Sequence, residues 1–136
     1  METISSIADK EVKSVVINET LLLEADETIQ PASRTAEIIE AVPGKKIVVM
    51  SIVAYRVLFS MDPPAFETQW KSGTTAITGV MTHNNTTPAL TVMPLPEGLF
   101  RTAAGEALNI TVTDTRAGSV SPVQGLVRGV LTYYEE

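Results

Sequence analysis

His83 is the only histidine in the 136 residues, so any imidazole-based proton transfer would have to be built around it. A hydrolase triad needs a nucleophile, a base within hydrogen-bond reach and a third group that orients the base. His83 lies in the polar run His83-Asn-Asn-Thr-Thr-Pro88, with no G-x-S-x-G element nearby. It reads as a loop histidine. Acid–base work by paired carboxylates would draw on Asp62, Glu67, Glu97, Glu106 and Asp114, which are scattered and share no motif. Asp26-Glu27 and Asp114-Thr115 are too sparse to cage a calcium ion, which takes six to eight oxygens. Gly73, Gly79 and Gly105 are not followed by the Lys-Ser/Thr ending of a phosphate loop and read as turn or bulge glycines. With no cysteine in the chain, thiolate chemistry, disulfides and cysteine-held metals are excluded. No catalytic residue, metal or cofactor is expected. One binding constellation stays open. Trp70, exposed, could stack on a sugar, with His83 and Asn84 supplying polar contacts; the competing reading places Trp70 in the core.

The net charge of −6 is unevenly distributed. Residues 1–44 carry nine acids and three bases, while residues 45–136 carry seven of each. The acidic part reads either as a solvated surface strip or as a docking segment. Within it, Leu21-Leu22-Leu23 forms an apolar anchor between Glu19 and Glu24, a set that could seat on a partner. Nucleic acid is not an expected partner, because no basic cluster exceeds Lys45-Lys46. A membrane is not expected either, since the longest apolar run, Ile47 to Phe59, is short and interrupted by Ser51 and Arg56. The opening residues carry no positive n-region followed by an apolar stretch, so no secretory signal is expected.

The elements that would position these residues are strands. Leu108, Ile110 and Val112 alternate with Asn109, Thr111 and Thr113, the period of two that marks a half-buried strand. Phe66, Thr68 and Trp70 alternate in the same way with Glu67, Gln69 and Lys71. Lys46 to Ser60 is apolar on both faces, which suits a central strand covered on its far side by another subunit or the N-terminal segment; a core strand with a bulge near Ser51 fits equally. Further strands are expected at Thr35–Val42, Thr75–Thr82 (weakened by Gly79), Ala89–Met93 and Val123–Tyr134, with Pro43-Gly44, Ser72-Gly73 and Ala104-Gly105 at turns. Residues 6–16 fit a capped helix and a strand equally well. The sum is an all-β chain: an antiparallel β-sandwich with about eight strands over residues 34–136, of jelly-roll type if the chain crosses between sheets and a meander sandwich otherwise, preceded by an arm or docking segment at 1–33. Leu108, Ile110, Val112, Phe66 and Leu90 are the expected core.

Val42-Pro-Gly-Lys-Lys-Ile-Val-Val49, Trp70-Lys-Ser-Gly-Thr-Thr-Ala-Ile-Thr-Gly79, Leu99-Phe-Arg-Thr-Ala-Ala-Gly-Glu-Ala-Leu-Asn-Ile110 and Val127-Arg-Gly-Val-Leu-Thr-Tyr133 together resemble small β-sandwich virion proteins of tailed bacteriophages. The likeness spans about residues 41–134. It implies a capsid decoration or cement protein that binds the outer capsid surface and stabilises the shell, or else a carbohydrate- or receptor-binding module of a fibre or tail. It implies the major capsid protein of a phage as partner, a homo-oligomer with a trimer preferred over a dimer, synthesis in the host bacterial cytoplasm and residence on the virion. It implies no catalytic residue.

Overall fold

A computed structural model describes residues 10–23, 32–59, 66–83, 98–114 and 123–136. They form nine strands: β1 (Lys13–Leu23), β2 (Ala32–Ile39), β3 (Ile47–Phe59), β4 (Phe66–Ser72), β5 (Thr75–Ala76), β6 (Met81–His83), β7 (Phe100–Arg101), β8 (Leu108–Asp114) and β9 (Val123–Glu135). The ambiguous N-terminal segment is a strand from Lys13 onward. The single strand expected at Thr75–Thr82 is divided into β5 and β6. Between them the Thr78 hydroxyl, not a backbone carbonyl, accepts from the Trp70 N–H at 3.1 Å.

Two antiparallel sheets pack face to face. The first has the order β1-β9-β3-β7; the second runs β2-β8-β4-β5, with β6 on the same edge of β4 as β5. Every connection other than β4–β5–β6 crosses between sheets. With β5 and β6 taken as one interrupted strand, this is the eight-position order of a jelly roll. β1 is hydrogen-bonded in register along β9 from Lys13↔Tyr133 to Leu23↔Val123, and β2 pairs with β8 from Ala32 onward. Residues 13–23 and 32–33, expected in a separate arm, are therefore strands of the sandwich. Glu19 and the backbone of Leu21–Leu23 belong to this ladder.

The core lies between the sheets. Aliphatic side chains face inward from both, Ile17, Ile47, Val49, Ile52, Val127 and Leu131 from the first and Ile39, Leu108, Ile110 and Val112 from the second, joined by the aromatic Trp70 of the second. Leu108, Ile110 and Val112 are wholly buried, as their alternation requires. Of the other expected core residues, the side chain of Phe66 and all of Leu90 lie outside the described residues. The expected strand at Ala89–Met93 also lies outside them. The register of β3 slips between Val49 and Ser51, so Met50 is an extra residue, and the bulge falls where the run of apolar residues on both faces suggested. Beyond it Val48, Met50 and Tyr134 form a second, smaller buried cluster on the outer side of the first sheet, with the Lys10 ammonium 5.6 Å from the Tyr134 ring centroid.

Candidate functional site

Of the residues the sequence singled out, Trp70 is the most clearly placed. It points inward from β4, is 7% exposed, and its indole stacks on the Phe100 ring at 5.7 Å and 30°. A ring held between two sheets has no free face for a sugar, so Trp70 works in packing. His83 ends β6 opposite Phe66; its side chain, with Asn84 and Glu24, lies outside the described residues. Of the Trp70–His83–Asn84 set, the structure places only the Trp70 side chain, and places it in the core. Glu19 is half-buried on β1 opposite Val127, while the side chains of Leu21, Leu22 and Leu23 lie outside the described set.

Three of the carboxylates that can be placed are engaged in structure. Glu106 accepts from the Ser72 hydroxyl, and Ser72 Oγ in turn accepts from the Ala103 N–H at 2.8 Å. With the Gly73 N–H donating to Ala107 at 2.9 Å, these bonds brace the β4–β5 turn against the approach to β8. Glu135 pairs with Lys13 at 3.0 Å and Glu136 with Arg101 at 3.2 Å. The hydrogen bond from Lys13 to Glu135 raises the lysine pKa above its ordinary 10.5; partial desolvation opposes this and the charge of the carboxylate adds to it. Among the described residues, no three His, Asp or Glu side chains gather as a metal site would require.

What the register does assemble is two contrasting outer faces. On the second sheet, Ser33, Glu67, Gln69, Lys71, Thr111 and Thr113 line an open polar groove of about 160 Å³. Thr111 of this lining shares a hydroxyl hydrogen bond of 2.8 Å with Thr35 of β2. Asn109, next in line, donates to the Gly73 carbonyl at 2.8 Å, while its own buried carbonyl oxygen has no partner among the described residues.

On the first sheet the outer face is banded. Val16 pairs with Val130, and Val130 with Val53, so three valines stand in one row across β1, β9 and β3. Val16 is 73% and Val53 42% exposed. On one side runs a hydroxyl row of Ser14, Thr132 and Ser51, in which Ser51 and Thr132 are hydrogen-bonded to each other. On the other, Asn18 stands beside the exposed Arg128. A shallow depression of about 340 Å³ opens between Val16, Asn18, Arg128 and Val130. Isolated exposed valines need no explanation; these three are neighbours on one sheet face. Sequence reasoning missed this row. The alternation in Lys13–Ile17 and in Val127–Leu131 hinted at outward valines; that they are neighbours depends on strand order.

The sequence matches no family model and no curated protein.

Proposed function

We propose that this chain is a structural protein of a bacteriophage virion, a decoration or cement protein that binds the outer surface of the assembled capsid and reinforces it. The observation that carries the reading is the valine row Val16–Val130–Val53, exposed at both ends and half-buried at Val130, flanked by Ser14 and Thr132 on one side and by Asn18 and Arg128 on the other. An apolar centre with a polar rim is the anatomy of a protein–protein contact surface. The resemblance of residues 41–134 to phage virion proteins supplies the partner. The mechanism is linkage: a protein that binds the closed lattice and not its free subunits stabilises the lattice by mass action, increasingly as its concentration exceeds its dissociation constant. Several copies joined as a small homo-oligomer would multiply a weak contact through avidity.

The test is cosedimentation of the purified protein with undecorated capsids. The protein should pellet with the capsids and raise their disassembly temperature, and Val16→Asp with Val53→Asp should remove both effects while the sandwich stays folded. Protein left wholly in the supernatant would overturn the reading. A carbohydrate-binding module is the second reading, and the polar groove of Glu67, Gln69, Lys71, Thr111 and Thr113 favours it. Its ligand would bind there and not at Trp70. Glycan-array binding abolished by Gln69→Ala would select it.

A further inference from the structure

β1 is an edge strand of unusual form. It runs for 11 residues, about twice the common strand length, and pairs with β9 in an unbroken register. Among the described residues no strand pairs with its other edge. Long edges are normally blunted by proline, bulges, shortness or inward-pointing charges, since their unpaired N–H and C=O groups are a template for another strand. On β1 the inward charges, Lys13 and Glu19, are opposite in sign, so they oppose an arbitrary strand but not a second copy of β1. Lys13–Leu23 contains no proline, glycine or bulge. The edge at β2, by contrast, is shorter and bulged between Glu37 and Ile39.

The charges on β1 select the occupant. Its inward positions carry Lys13 and Glu19, placed symmetrically three residues either side of Val16. We propose that β1 pairs antiparallel with β1 of a second copy about a twofold axis at Val16, joining the two first sheets into one continuous sheet. In that register Lys13 of each copy stands opposite Glu19 of the other, Val15 opposite Ile17, Ser14 opposite Asn18, and Val16 opposite Val16. Neighbouring registers lose the match. An axis at Val15 sets Glu11 against Glu19, and one at Ile17 sets Glu19 against Val15. Opposite charges directly across a ladder stabilise the pair and like charges destabilise it. Lys13 would then lie between Glu135 of its own chain and Glu19 of the second copy. An isologous contact of this kind closes on itself, so it yields a dimer and not a filament. The two valine rows meet at the axis and become one apolar stripe across six strands, which deepens the capsid-binding reading without depending on it, because self-association is measured on the purified protein alone.

Two measurements test the pairing. The chain has no cysteine, so Val16→Cys introduces a single thiol. Its Cα should lie within the roughly 4.4–6.8 Å reach of a disulfide from its counterpart, and mild oxidation should give a covalent dimer. Val12→Cys, on the same face but about 27 Å from its counterpart at about 3.4 Å per residue, should not cross-link. In sedimentation, the native protein should be a dimer at micromolar concentration. Lys13→Glu and Glu19→Lys should each weaken the dimer by about tenfold or more, and mixing the two variants should restore it as a heterodimer, since each then offers the charge the other needs. Glu19→Lys leaves the Lys13–Glu135 pair intact, and far-UV circular dichroism of both variants confirms folding. A native monomer or trimer, cross-linking at position 12 in place of 16, or no recovery on mixing would each overturn the proposal. Capsid binding by a protein that stays monomeric would overturn the pairing and leave the decoration reading standing.

Discussion

Ile110→Ala should be among the most damaging single changes in this protein. Ile110 sits in the middle of β8, wholly buried, with Ala36 of β2 on one side and Trp70 of β4 on the other. The substitution removes three buried carbons. At about 0.8 kcal/mol for each, transfer alone costs about 2.4 kcal/mol. The cavity left behind adds to this, and little of it can be refilled. Both neighbouring strands are fixed by in-register ladders, and the Trp70 ring is already held against Phe100. The loss should therefore fall in the upper half of the usual range of about 2–5 kcal/mol. Urea denaturation followed by Trp70 fluorescence reads it directly, as a fall in midpoint with an unchanged slope. Val53→Ala, on the exposed outer face, should cost no more than about 0.5 kcal/mol by the same assay. A loss under about 1 kcal/mol at Ile110, or equal losses at both sites, would show that the space between the sheets is not the closely packed core described.

Gly98→Ala should destabilise by about 1–3 kcal/mol, because its φ of +93° disfavours any side chain and the added methyl would collide with the buried Val48. Gly44→Ala, also at positive φ but with open space around it, should cost only the backbone part, and a thermal melt ranking the two in reverse would refute this. Thr102→Val removes the hydroxyl that accepts from the buried Ile47 N–H at 2.9 Å, and should cost about 1–3 kcal/mol and speed hydrogen exchange at Ile47, while Thr102→Ser should retain most of both. The Lys13–Glu135 pair makes stability depend on alkaline pH. Since the folded-state pKa lies above the unfolded 10.5, the stabilisation is complete below 10.5 and is lost as pH rises through the folded value. The urea midpoint of the native protein should therefore fall more steeply above about pH 10.5 than that of Lys13→Gln, and parallel curves would count against the pair.

The residues themselves determined the all-β class, the in-out faces of β4 and β8 and the turn at Pro43-Gly44, and offered the bulge of β3 near Ser51 as one of two readings. Each of these is local: side-chain direction repeats every two residues, prolines and glycines punctuate over a few, and a run apolar on both faces must bend or be covered. The competition between helix and strand at residues 6–16 could not be decided that way, because an isolated segment satisfies either pattern. The β9 ladder decides it for Lys13–Val16, by offering hydrogen-bond partners more than a hundred residues away in the chain. Trp70 is the same case at the level of one side chain. Its alternation placed it on a face, but only the arrival of Phe100 from β7 made that face an interior. Strand order then created what no local pattern contains. Val16, Val53 and Val130 become one row, and Lys13 and Glu19 become the charges of an open edge, because β9 inserts between β1 and β3 and leaves β1 outermost. Which residue faces in is written in short-range periodicity; which residues share a surface depends on non-local pairing, set by how two whole sheets bury their apolar faces together.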